Sequence, residues 1–169
     1  TFTAAPTHYP APIRLMHAKN ITLQGLTVGG GVGDHLIETA ALQNFLVDGC
    51  TLQNMSVASS TDNKTREALQ LDLAVHDSIY PGCHQDGTMM QNVTIQNCTF
   101  RNVSRGVGGH SLLLNAYHEN IKILNNTFTD VREECIIAGN YYNCEISGNI
   151  IKNCGSGIVF QYAKSNKKT

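Results

Sequence analysis

Apolar and polar residues alternate in short segments of this chain, and each of these segments begins with Asn. Apolar residues stand one and three positions after the Asn, and the residue between them is usually polar. Alternation with a period of two is typical of a strand with one buried face. A sixth Asn continues the series near the end of the chain, and consecutive members are 24, 48, 28, 23 and 23 residues apart: Asn20, Asn44, Asn92, Asn120, Asn143 and Asn166.

Each segment also contains turn residues at fixed positions, which predict sharp corners in the backbone. The residue five positions after the leading Asn is always Gly or Asn, which adopt a left-handed backbone at low cost. An apolar residue follows at position eight and a second turn residue at position ten. A third short strand is predicted before each leading Asn, at residues 13–16, 36–39, 69–72, 112–115, 136–139 and 158–161.

Three short strands in about 23 residues, repeated in register, predict a coil whose equivalent strands stack into parallel sheets. The N-[IV]-x-[IV]-x-[GN]-[NC]-x-[IF] pattern resembles the right-handed parallel β-helix of the pectin-lyase-like superfamily. The resemblance implies an all-β solenoid of about six coils of ~23 residues. It also implies that the leading Asn side chains bond coil to coil. Function does not follow from the fold, which carries lyases, hydrolases, epimerases, phage tailspikes and adhesins.

The 48-residue gap between Asn44 and Asn92 marks an irregular coil. Two regular coils of 24 would fit the length, but no Asn-led strand lies near residue 68. We therefore expect one coil with two long loop insertions, at 56–66 and 73–91. Both insertions flank the strand Leu69–Asp72 and would wall a groove over its outer surface. Relatives that act on sugars bind polysaccharide in such a groove.

Leu69 and Leu71 are expected to point inward on this strand, and Gln70 and Asp72 outward. With outward residues of neighbouring coils and one loop histidine, this predicts a substrate-binding patch of Arg14, Gln70, Asp72, Asn115 and His76. Carboxylates this close can share a hard cation such as Ca²⁺, so we expect a candidate metal set of Glu38, Asp72 and Asp86. The side on which Glu38 lies stays open, and both strand carboxylates could instead be ordinary solvated residues.

The Gly-rich run Ser104–Ser111 is predicted to form a turn beside the irregular coil, where its glycines would let backbone approach a ligand. The resemblance implies catalysis by an Arg or Lys that removes the proton α to a uronate carboxylate, often with Ca²⁺. On that basis Arg105 is the candidate base, with His110 and Glu67 as further catalytic residues. The alternative is that Arg105 pairs with Glu67 or Glu134 across coils and that His110 is a hydrogen-bonded turn residue.

Composition narrows the choice of partners. The chain has 169 residues, a net charge of −1 and 15% charged residues, and its 16 Asn outnumber its 13 acids. The absence of a basic excess argues against nucleic acid, and the absence of a long apolar run argues against membrane insertion. Cys50 and Cys98 occupy equivalent positions, which predicts an inward stack of free thiols, with a disulfide as the alternative.

We interpret residues 1–169 as one β-helix domain, with repeats over 12–166, and as a piece of a larger secreted or cell-surface bacterial protein. The expected partner is a polysaccharide. The first hypothesis is lyase-type β-elimination on an acidic polysaccharide. The alternatives are a glycoside hydrolase of the same fold, which needs two carboxylates, and a non-catalytic surface module that binds glycans or spaces other domains.

Overall fold

The computed structural model describes residues 2–3, 11–30, 35–55, 66–73, 87–109 and 116–162. Their regular secondary structure is entirely β-strand, as expected from the many alternating apolar and polar positions. None of their segments is a helix long and apolar enough to cross a bilayer. The strands are β1 (Phe2–Thr3), β2 (Ile13–Met16), β3 (Lys19–Gln24), β4 (Thr27–Gly29), β5 (Ile37–Ala40), β6 (Gln43–Asp48), β7 (Thr51–Gln53), β8 (Glu67–Asp72), β9 (Gln91–Gln96), β10 (Thr99–Val103), β11 (Arg105–Gly108), β12 (His118–Leu124), β13 (Thr127–Gly139), β14 (Tyr141–Tyr142), β15 (Glu145–Ser147) and β16 (Ile150–Gln161).

The strands stack in parallel and give the solenoid three faces. We call the surface built from β2, β5, β8, β11 and the C-terminal half of β13 the first face. The second face contains β3, β6, β9, β12, β14 and β15. The third face contains β4, β7, β10 and the N-terminal half of β13, and β16 pairs with both halves of β13.

The described residues form an all-β solenoid of about four turns. The predicted count of six coils of ~23 residues is more specific than the described residues show. In contrast, the single irregular coil is confirmed, because Gln43 pairs with Gln91 and Thr51 with Thr99 across the 48-residue gap. Most of the two predicted insertions lies outside the described residues.

Left-handed corners recur at three positions in each turn. The predicted corner five residues after the leading Asn is confirmed, with φ between 54° and 66° at Gly25, Gly49, Asn97, Asn125 and Gly148. The leading Asn residues also have positive φ, which the sequence had not indicated. Asn is needed there because its side chain stacks: Asn44 Nδ2 donates to Asn20 Oδ1 at 2.9 Å, and Asn92 Nδ2 donates to Asn44 Oδ1 at 3.0 Å. The predicted Asn ladder is therefore present.

Residues at equivalent positions in successive turns also form the core. We call such a set of equivalent residues a column. Phe100 stacks on Phe128 with ring centroids 4.7 Å apart, and Leu52 lies opposite Phe100 in the turn before. Cys50 and Cys98 form the expected inward stack, and both are free thiols. The backbone N–H of Cys98 donates to Asn126 Oδ1 at 2.9 Å, so a buried amide continues the cysteine column.

The structure places β11 beside Leu69–Asp72, with Val107 opposite Leu69. The strand predicted at Leu112–Asn115, which was expected in that place, lies outside the described residues. The chain turns from β10 into β11 at Ser104 alone, so residues 105–108 of the Gly-rich run form a strand instead of the predicted turn. Its glycines serve packing, because a Cβ on Gly106 would collide with the carbonyl oxygen of Cys135 and the ring of Phe128.

A buried histidine belongs to another interior column. The N–H of Leu42 donates to Met90 Sδ at 3.2 Å, and the N–H of Met90 donates to His118 Nδ1 at 3.1 Å. The His118 ring meets Tyr141 edge to face, with centroids 5.7 Å apart. Burial lowers the pKa of His118 from 6.5 to about 3, so the folded protein holds it neutral.

We expect Asn92→Ala to lower the free energy of unfolding by about 2–5 kcal/mol. Asn92 donates to Asn44 and accepts from Asn120, and each lost bond costs about 0.5–1.5 kcal/mol. The left-handed backbone adds about 1–2 kcal/mol for Ala. Asn92→Gly keeps the backbone unstrained and should lose less. Urea unfolding measures both, and equal losses would argue against a backbone contribution.

We expect His118→Met to flatten the acid limb of the stability curve. Between pH 6.5 and about 3 the unfolded chain binds a proton that the folded protein does not, so stability falls as pH falls. This single group contributes a slope of about 1.4 kcal/mol per pH unit. Met can accept the Met90 N–H through sulfur, as Met90 does for Leu42. Urea unfolding from pH 7 to 4 measures the free energy of unfolding of the variant and the unaltered chain. If His118 does not contribute, the two free energies should depend on pH in the same way.

Candidate functional site

The outer surface of the first face carries polar side chains that contact one another. Arg14, Glu38 and Gln70 stand in one column, and Arg14 Nε lies 2.7 Å from Glu38 Oε2. Gln70 Nε2 donates to Asp72 Oδ2 at 2.7 Å on the same strand. Glu38 is only 7% exposed and Gln70 6%, although both point away from the core. The structure thus brings these four predicted residues onto one surface, and it places Glu38 on the outside.

Two glycines of β11 and its C-terminal end border this surface. Gly108 follows Gln70 in the column, and a Cβ there would lie 2.7 Å from the side chain of Ile137. A Cβ on Gly109 would lie 2.7 Å from Asp72 Oδ1. The glycines therefore let this part of the chain pack directly against Ile137, Leu71 and Asp72.

A second outer column holds most of the charge. Arg105 lies opposite Glu67 in strand register, and Arg105 Nη1 is 3.5 Å from Glu67 Oε1. Arg105 also approaches Glu133 Oε2 at 2.9 Å and Glu134 Oε2 at 2.7 Å. His35 Nδ1 lies 2.8 Å from the carbonyl oxygen of Glu67 and 3.7 Å from its Oε2. Glu67 is only 1% exposed, whereas Arg105, Glu133 and Glu134 are partly exposed, so this network surrounds one buried carboxylate.

The network decides the protonation of Arg105. Burial opposes the charge on the guanidinium, but Glu134, Glu67 and Glu133 outweigh it and raise the pKa of Arg105 above its usual value. The alternative expectation, an Arg paired across coils with Glu67 or Glu134, is confirmed. A guanidinium held in this way is a poor acceptor for a proton. A role for Arg105 as a base would require it to leave these partners.

The structure describes only some of the other predicted site residues. His76, Asp86, His110 and Asn115 lie outside the described residues. Of the expected group around Arg105, the structure brings Glu67 to it, whereas the side chain of Asp72 bonds to Gln70, five residues along the strand from Glu67.

A metal centre is not assembled by the described part of the chain. No group of three or more His, Cys, Asp or Glu side chains in these ranges is placed to hold an ion. Glu38 contacts Arg14, and Asp72 accepts from Gln70. Ca²⁺ binding by Glu38, Asp72 and Asp86 therefore stays a prediction.

Sequence reasoning missed His35 and Glu133. His35 precedes a predicted strand and was not assigned a partner. Glu133 reaches Arg105 because the pairing of β13 with β16 shifts register between Val131 and Glu134. Two consecutive glutamates before a buried strand were the available signal, since alternation alone would place one of them inside.

We expect Arg105→Met to lower the free energy of unfolding by about 3–5 kcal/mol, because it leaves buried Glu67 without its guanidinium partner. Arg101→Met is the matched control. Arg101 is exposed and donates to the neutral Gln53, so its loss should cost about 1 kcal/mol or less.

Urea unfolding of both variants is the measurement. The double variant Arg105→Met with Glu67→Gln should recover part of the loss, which measures the coupling of the pair. Equal losses for the two single variants would contradict a buried network.

Comparison with known proteins places this geometry in context. The family model described as right handed beta helix region matches residues 35–168. A relative from Streptococcus pneumoniae (strain ATCC BAA-255 / R6), named plasmin and fibronectin-binding protein A, is 24% identical over 173 aligned residues. The alignment covers 90% of this chain and 24% of the relative, so the chain spans about a quarter of that protein's length. No solved structure matches the chain.

The family model covers most of the sequence, and the strands stack as a parallel β-solenoid. The chain belongs to the right-handed β-helix family.

Proposed function

We propose that this chain is a carbohydrate-binding β-helix module of a secreted or cell-surface bacterial protein, and that it holds its ligand along the outer surface of the first face. The observation that carries this proposal is the fixed pairing of the polar side chains on that surface. Arg14 is held by Glu38 and Gln70 by Asp72, each at 2.7 Å.

Fixed polar side chains suit recognition. A ligand that meets groups already held in place does not have to order them, so less binding energy is lost to entropy. Sugar hydroxyls both donate and accept hydrogen bonds, which fits the amide of Gln70 and the carboxylate of Asp72.

The charge of this surface favours a ligand without carboxylates. Among the described residues of the first face and its charged column, the acids Glu38, Glu67, Asp72, Glu133 and Glu134 outnumber the bases Arg14, Arg66 and Arg105. A polyuronate would meet a field of its own sign. The electrostatics therefore support a neutral glycan better than the acidic polysaccharide expected from the sequence.

Lyase-type β-elimination is the second candidate function. It is favoured by the place of Arg105 on the first face, one turn from Glu67. It would require Arg105 to lose a proton in spite of its carboxylate partners. A hydrolase of the same fold would need two carboxyl groups with separate roles, whereas Glu67 and Glu134 contact the same guanidinium.

The streptococcal relative suggests another kind of ligand. Its name describes binding of plasmin and fibronectin. Plasmin and fibronectin therefore belong in any binding test of this chain. The low identity and the short share of the relative make this similarity weaker support than the geometry of the first face.

We expect the chain to bind a neutral or amino-sugar oligosaccharide, and Gln70→Ala with Asp72→Ala to weaken that binding at least tenfold. Each lost hydrogen bond to a ligand is worth about 1 kcal/mol, and a charged acceptor more. Gln53→Ala with Arg101→Ala, a polar pair on the third face, is the control and should bind normally.

Titration calorimetry with neutral, amino-sugar and uronate oligosaccharides, and with plasmin and fibronectin, measures the choice of ligand. Incubation with uronate polymers, with and without Ca²⁺, tests the second candidate through the absorbance of an unsaturated product. Appearance of that absorbance would overturn the binding-only proposal.

A further inference from the structure

A small pocket opens on the second face, across a corner from Gln70 and Asp72. The carbonyl oxygen of Asp72 accepts from the N–H of Ala41, and the carbonyl oxygen of Leu42 accepts from the N–H of Gln91, so the two surfaces are joined through one corner. The pocket has a volume of about 330 Å³ and is lined by Gly87, Thr88, Met89, Gln91, Ala116, Tyr117 and Glu119. This volume lies at the small end of the range for ligand sites.

One aromatic ring lines the pocket, and a second ring lies beside the first. Tyr117 lines it, and its ring meets Tyr142 edge to face with centroids 6.1 Å apart. Tyr142 lies opposite Glu119 in strand register and is 41% exposed. A large aromatic side chain fixed by a second ring offers a rigid apolar surface to a ligand at a low entropic cost.

Polar groups line up beside these rings. Gln43, Gln91, Glu119 and Tyr142 form one outward column of the second face. Neighbouring members are one strand spacing apart, about 4.8 Å. An amide and a carboxylate next to an aromatic surface are the groups that can bond the hydroxyls of a ring-shaped ligand while its apolar side packs on Tyr142.

Charge limits the ligand further. Among the lining residues that the structure describes, Glu119 alone carries a formal charge at neutral pH, and Lys19 stands at the far end of the same column. A carboxylate on the ligand would face Glu119. An ammonium group would instead gain a charge-assisted hydrogen bond from it.

We infer that this pocket is a subsite for one pyranose ring of the bound glycan, that the ring carries no carboxylate, and that Glu119 favours an amino sugar. The inference rests on the proposed function and adds a second surface to it. Tyr117 in the pocket and Tyr142 beside it supply the apolar platform, and Gln91 and Glu119 bond the substituents of the ring. The subsite and the first face together would hold a ligand that bends around the corner between them.

The test uses three oligosaccharide probes of equal length, made of glucose, glucosamine and galacturonate, with the whole chain in titration calorimetry. The unaltered chain should bind the glucosamine probe most tightly and the galacturonate probe least. Glu119→Gln should weaken binding of the glucosamine probe roughly tenfold and leave binding of the glucose probe unchanged. Tyr142→Ala should weaken both by roughly five- to tenfold. Tyr162→Ala, which removes an exposed ring stacked on Phe160, is the matched control and should change neither.

The outcomes separate the subsite from the proposed function. If Gln70→Ala with Asp72→Ala weakens binding but Tyr142→Ala and Glu119→Gln do not, the subsite is overturned and the first-face proposal stands. If the unaltered chain binds none of the probes, both are overturned. Tyr142→Leu, which keeps apolar area without an aromatic ring, and circular dichroism of every variant distinguish a lost platform from a lost fold.

Discussion

Stacking of each turn on the next is the constraint on which the whole structure depends. Parallel strands bond the turns together only if every turn bends at the same places, so the corners must repeat. Positive φ at Asn20, Asn44 and Asn92 meets this need, and the same side chains add a hydrogen bond between turns. Asn is chosen over Gly at these corners because it combines a left-handed backbone with an amide that can stack. The high Asn content and the low charge of the chain both follow.

The same constraint produces the charge network. Outward side chains in one column lie about 4.8 Å apart, so like charges in successive turns would repel strongly. Arg14 therefore faces Glu38, and Arg105 stands between Glu67 and Glu134. Burial of Glu67 on an outer surface is tolerable only with its guanidinium partner in place. The candidate site is thus part of the scaffold as well as a surface for ligands.

Much of the fold could be predicted from the sequence, because the repeat encodes it locally. The Asn ladder, the corner five residues after each leading Asn and the single irregular coil all follow from spacing and residue type. The strand β11 could not be predicted in this way. Leu112–Asn115 has the apolar residues of a strand, whereas the fit of Gly106 depends on Phe128 and Cys135 in another turn. The partners of Arg105 could not be decided from the sequence for the same reason, because the Glu that contacts it depends on a register shift in β13.

A surface made of fixed pairs has consequences for chemistry. A catalytic base must exist partly without its proton, and a catalytic acid must be able to give one up. The charges of Glu134, Glu67 and Glu133 raise the pKa of Arg105, so this guanidinium keeps its proton and does not meet the condition for a base. Rigid polar groups still discriminate between ligands, since only a sugar with donors and acceptors in matching positions can bond to groups that are already fixed. Selection for a stable column thus favours recognition over turnover at this part of the solenoid, and any turnover would have to draw on groups outside the column.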